Sequence, residues 1–249
     1  MGALYTGLAL GSFCLLLGLP GLFKTASRRY VLGGALTVGA TMLAGLAPLP
    51  AALPGLPRIA VQGYWPNLLL TLLVSLGALA LLLGPRGWRR EEFGLRLGFN
   101  PGTGRDVRRW LLPLLVVEVG ILWALVPSGK PTLSYHLLQL SVGVTEELAF
   151  RGVLLALLDR VFVSRVRVLG AELGYGAVAS TLVFGLCHGL RVDADFHVAL
   201  NFMPMAIPTV GGFVLAWCRA RSGSLLLPIF VHSGMNEVAQ LVALAKAWL

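Results

Sequence analysis

The sequence predicts an all-α polytopic membrane protein of about eight transmembrane helices, with its active site inside the helix bundle. Three observations carry that prediction. Of the 249 residues, 57% are hydrophobic and only 12% charged, about half the charge fraction of a soluble domain. The apolar residues gather into eight blocks whose lengths approach or reach the roughly 20 residues a helix needs to cross a bilayer. The basic residues fall between those blocks in regular alternation. The net charge of +9 is therefore a topology signal, and no nucleic-acid partner is expected.

In chain order the blocks are 4–23, 30–53, 64–83, 110–126, 135–158, 175–190, 198–218 and 225–244. The first has no basic residue ahead of it and is longer than a secretory signal core, so it reads as a retained helix. Loops after the first, third, fifth and seventh blocks carry 3, 7, 3 and 2 Lys or Arg residues. The other loops and the C-terminal tail carry one each, namely Arg58, Lys130, Arg191 and Lys246. This alternation places both termini on the non-cytoplasmic side. The expected location is a prokaryotic cytoplasmic (inner) membrane. The longest loop, 84–109, contains Trp88-Arg-Arg-Glu-Glu-Phe-Gly-Leu95, which suits a short helix lying on an anionic leaflet or a solvated linker. The loop 161–172 is similar and shorter. Cys14, Cys187 and Cys218 lie in apolar blocks at unrelated spacings and make neither a disulfide framework nor a metal-binding CxxC. The expected division is 1–134, four N-terminal helices with the basic loop, and 135–249, a catalytic core of four more.

The chemistry concentrates in the second half. The fifth block holds Thr145-Glu-Glu-Leu-Ala-Phe-Arg-Gly152 at its centre, where each charge costs roughly 2.5–3.5 kcal/mol on insertion scales. Glu147 and Arg151 are i and i+4, so they share a helix face and can pair. Glu146 lies about 100° around the helix from Glu147. The pattern predicts one structural carboxylate held by Arg151 and one carboxylate left to work. The sixth block brings Phe184 and His188 to one face, and the eighth brings His232 and Asn236 to one face, both at i, i+4. Glu118 stands alone in the fourth block, and Glu237 points away from the His232/Asn236 stripe. A buried network like this also fits a non-catalytic protein, either a carrier or a peptide-binding immunity protein. A carrier more naturally has repeats and interrupted helices, and none is visible here.

Taken in order on separate helices, Glu-Glu-x-x-x-Arg, Phe-x-x-x-His and His-x-x-x-Asn resemble the signature of the CPBP (Abi) family. This family of intramembrane proteases includes the CAAX prenyl endopeptidases and bacteriocin-processing relatives. The run from Gly211-Gly212 to His232 resembles the family's approach to its third motif, and the likeness covers roughly 135–244. The resemblance implies that Glu146 and His188 activate water. It makes His232 and Asn236 the groups that hold or polarise the scissile carbonyl, with Glu147, Arg151 and Phe184 supporting them. That division is chemically coherent, since a carboxylate beside an imidazole can move a proton from water to a leaving amine. Neutral donors can stabilise an oxyanion at low dielectric.

Glu146, His188 and His232 could instead form a His₂Glu zinc set with one open position. HExxH is absent and Asn236 is a poor zinc ligand, so the expectation is chemistry that needs no cofactor, with zinc as the alternative. Serine catalysis lacks a GxSxG, and no aspartate lies inside a block. The expected partners are the lipid bilayer and a membrane-associated peptide substrate. A prenylated C-terminus, a bacteriocin leader and a C-terminal sorting tail all remain open.

Overall fold

The computed structural model describes residues 2–46, 65–84 and 88–249. The end of the second predicted block (47–53), the first residue of the third (64), Arg58 and Arg86 lie outside the described residues. Helix α1 (Gly2–Leu17) and the short α2 (Leu19–Leu22) precede α3 (Thr25–Leu46) and α4 (Trp65–Leu83). A short α5 (Thr103–Asp106) ends the basic loop, and the fourth block follows as a wide π turn over Val107–Leu111 and α6 (Leu112–Leu125). The fifth is α7 (Leu133–Glu147), a π-helical run over Leu148–Leu154, and α8 (Leu155–Asp159). Then come α9 (Tyr175–Gly189), α10 (Phe202–Ser222) and α11 (Leu226–Lys246). Every predicted block thus has its helix among the described residues.

The protein is mostly helical, and among the described residues three helices are each long and apolar enough to cross a membrane: Thr25–Leu46, Pro66–Leu83 and Phe202–Ser222. The remaining blocks fall short for visible reasons. Helix α1 has 16 residues, and π turns interrupt the fourth and fifth. Helix α11 has 21 residues but carries His232, Asn236, Glu237 and Gln240 along its length.

Two short antiparallel hairpins depart from the all-helical expectation. Strands β1 (Arg165–Val168) and β2 (Ala171–Gly174) pair around a turn at Leu169-Gly170, and β3 (Leu190–Val192) pairs with β4 (Val198–Leu200). Residues 190 and 198–200, expected in helices, are strand. The Asp193 carboxylate accepts from the backbone N–H of Asp195 and of His197, both at 2.9 Å. This side-chain turn competes with helix formation.

The π-helical run is the centre of the packing, with every residue from Leu148 to Leu154 buried. Phe150 and Leu154 join Leu10, Cys14, Val31 and Val183 in one core, so α1, α3 and α9 share that core with the fifth block. Helix α6, by contrast, buries no residue.

The basic loop packs against the end of the bundle. A single 3₁₀ turn, Arg90–Phe93, turns Phe93 (0% exposed) and Trp88 (7%) inward against the bundle end. The attachment is polar. Arg219 donates to the carbonyls of Glu91 and Glu92 at 3.3 and 2.9 Å, and Ser224 Oγ donates to that of Arg96 at 2.6 Å. Arg221 binds the Asp106 carboxylate at 2.7 Å and the Pro101 carbonyl at 2.8 Å. The last turn of α10 and Ser224 just beyond it therefore bolt this loop in place.

Candidate functional site

Helices α7 and α11 run antiparallel and very close. A Cβ at Gly143 would collide with Ser233, so only glycine permits the approach. Ser233 Oγ uses it to donate to the Leu140 carbonyl at 3.0 Å, which occupies this hydroxyl structurally. Along the same seam, one turn deeper, lie the predicted acids.

Glu147 and Arg151 pair, Arg151 Nη1 to Glu147 Oε1 at 2.8 Å, both 0% exposed. The same oxygen accepts from His232 Nδ1 at 2.8 Å. Arg151 Nη2 reaches the Gly212 carbonyl at 3.0 Å, and its guanidinium carbon stands 4.2 Å from the centre of the Phe184 ring. A Cβ at Gly212 would come within 3.1 Å of both Arg151 Nη2 and the Phe184 ring. The second glycine of the Gly211-Gly212 pair is the gap through which the arginine reaches α10. Phe184 also meets Phe150 and His232 edge-on, at 5.1 and 5.8 Å, and His188 at 4.8 Å. A cation over a ring is worth about 2 kcal/mol when desolvated, so the ring shields the charge as well as filling space. Glu147 Oε2 and Arg151 Nε are buried without a hydrogen-bond partner among the described residues.

Glu146, the neighbouring acid, is different. Its side chain is 28% exposed, and its Oε2 lies 3.8 Å from His232 Nε2. The two carboxylates therefore flank one imidazole from its two nitrogens. An ionised Glu147 can only accept, which puts a proton on His232 Nδ1. His232 can then donate from Nε2 only as the imidazolium. Counting charges, two carboxylates against Arg151 leave one negative charge, which an imidazolium would cancel.

His188 Nδ1 lies 2.8 Å from the Phe184 carbonyl, which can only accept. The proton again sits on Nδ1, and a neutral His188 presents a bare Nε2. The structure does not bring His188 into contact with Glu146; its described contacts are with Phe184. Asn236 Nδ2 bonds the Gln139 carbonyl at 3.4 Å, bridging α11 to α7 and leaving its second N–H available. The atoms of the alternative zinc set do not gather. Among the described residues, the one group of three potential ligands within 4.8 Å of one another is Asp193, Asp195 and His197. That group is exposed in the β3–β4 turn, where His197 Nδ1 meets Asp193 Oδ2 at 3.1 Å.

Glu237 has a partner that the sequence did not suggest. His136 Nδ1 meets Glu237 Oε2 at 2.6 Å across the same α7/α11 seam. His136 has no i+4 partner of catalytic type, so no local spacing could have marked it. Glu118 is partly buried on α6 and makes no hydrogen bond or ion pair among the described residues.

Residues 128–238 match the family model described as type II CAAX prenyl endopeptidase Rce1-like. No curated protein and no solved structure matches the chain. The matched residues span α7 to most of α11 and include all three motifs. The matched segment, which holds Glu146, His188, His232 and Asn236, is similar to the CAAX prenyl endopeptidases that the model describes.

Proposed function

We propose that this chain is an integral-membrane endopeptidase that cleaves a membrane-associated peptide, of the C-terminally prenylated class that the matched family's description names. Glu146 is the base that takes a proton from water, with the bare Nε2 of His188 facing the same water. The resulting hydroxide attacks the scissile carbonyl. The proton then passes to the leaving amine as the carbon–nitrogen bond breaks. His232 Nε2–H and the free N–H of Asn236 steady the oxyanion, and Glu147 with Arg151 holds His232 in place. No metal step is needed in this scheme, and the spread of Glu146, His188 and His232 favours it over a three-ligand zinc site.

The observation that carries the reading is the contrast between adjacent acids. Glu147 is sealed at 0% exposure and shared by Arg151 and His232, whereas Glu146 is 28% exposed and unpaired except for His232 at 3.8 Å. A purely structural charge cluster would have no reason to keep the second carboxylate open, given its cost inside a membrane. Mass spectrometry of membrane peptides tests the proposal. Membranes holding the wild type should contain cleaved termini that are missing with Glu146→Ala, and equal products from both would refute it.

A further inference from the structure

Between α3 and α4, floored by Leu157 of α8, lies a cleft of about 700 Å³, within the usual size of ligand sites. Its walls are two stripes at helical spacing, Leu32, Leu36 and Ala40 on one side and Val74, Ala78 and Leu82 on the other. Leu36 is 72% exposed, so the cleft opens sideways, where a membrane protein meets lipid. Polar demand inside it is absent, because Thr37 Oγ1 already donates to its own helix at Gly33 O. From Arg29 to Ala40 the helix rises about 16 Å, close to half the roughly 30 Å hydrocarbon core. The cleft is one leaflet deep.

One end is cationic. Arg29 and Tyr30 form the rim, with Arg29 Nη2 donating to the Tyr30 hydroxyl at 2.8 Å. The other arginine at this end, Arg160, is committed to Glu92 and stacked 3.6 Å over Trp88. Arg29 has no carboxylate partner among the described residues, and neither do Lys24 and Arg28 on the preceding turn. All three are exposed. An apolar slot one leaflet deep, ending in an unneutralised guanidinium, matches one occupant. We propose that the α3/α4 cleft is a specific site for an anionic glycerophospholipid, with one acyl chain between the helices and the phosphate on Arg29. This site stands apart from the endopeptidase reading and requires no turnover to test.

The test is native mass spectrometry of the full-length protein from micelles containing equal phosphatidylglycerol and phosphatidylcholine. Wild type should retain one phosphatidylglycerol in about fivefold preference, the scale of one basic residue at an anionic surface. Arg29→Gln should bring the two lipids to near parity while still retaining one. Gly77 lines the cleft and a Cβ there meets nothing within 4 Å, so Gly77→Leu should fill the cleft and abolish retention of both. Leu36→Trp, which fills the cleft from the opposite wall, serves if Gly77→Leu does not fold. Parity in wild type, or retention by both filled variants, overturns the proposal. So does displacement of the lipid by inorganic phosphate alone or by a prenylated peptide.

Discussion

The α7/α11 seam carries the same contact twice. At one end His136 Nδ1 meets Glu237 at 2.6 Å, and at the other His232 Nδ1 meets Glu147 at 2.8 Å. The surroundings differ. The first pair is about one-fifth exposed, without an arginine or a second acid. The second is sealed, with Arg151 sharing its carboxylate and Glu146 facing the far nitrogen of the imidazole. A carboxylate on a histidine is therefore common to both ends and is not what marks a site. The marks are the buried cation that fixes the first carboxylate and the second, open carboxylate that has no structural duty.

Four substitutions probe that contrast, taken from the largest expected effect to the smallest. Glu146→Gln should lower kcat by about 10⁴, the upper range for losing a general base, with the melting temperature unchanged. Retained turnover would assign the base elsewhere. Glu147→Gln should destabilise by about 3–5 kcal/mol, since Arg151 is left as a buried unpaired charge. Thermal melting in detergent reads this, and a wild-type melt would mean that Arg151 finds another partner. Asn236→Asp should cost about 10²–10³ in kcat, as an acceptor replaces an oxyanion donor. The same assays should be unaffected by strong chelators, whereas reversible loss of activity with loss of bound zinc would restore the His₂Glu scheme. Glu237→Gln should cost only about 1 kcal/mol, one part-buried hydrogen bond, and leave kcat within twofold. A larger loss of activity would mean that the His136 end is part of the site.

How much of this could be read from the sequence depends on whether a contact is local. The Glu147–Arg151 pair follows from i, i+4 spacing, and the separation of Glu146 from it follows from 100° per residue. Phe184 beside His188 is readable in the same way. His232 on Glu147 and His136 on Glu237 are contacts between antiparallel helices, 85 and 101 residues apart, and no periodicity encodes them. The π-helical run after Glu147 is likewise invisible, because Leu148–Leu154 contains nothing that forbids an ordinary α-helix. Val-Arg-Val at 166–168 was hidden by its charge, which suggested a basic loop where the structure has a strand. The burial of Phe93 escapes the sequence for a related reason. An aromatic among arginines suits an interfacial helix, but Gly94 adopts φ 74° and Arg219 grips the turn from behind, which directs the ring inward.

That grip has a consequence for how the chain meets the aqueous side. A 26-residue connection with seven arginines would be the natural place for trypsin to nick a membrane protein. Here its second half is latched by Arg221, which spans the Asp106 carboxylate, the Thr103 hydroxyl and the Pro101 carbonyl. The hydrogen bond from Arg221 holds the Asp106 carboxyl below its ordinary range. The latch contributes fully at neutral pH and is released only as pH falls through that lowered value. Amide exchange over 100–106 should stay slow through the ordinary carboxylate range and quicken below it, once the intrinsic pH dependence is removed. Asp106→Asn should open the segment to trypsin at neutral pH while the helices beneath stay intact.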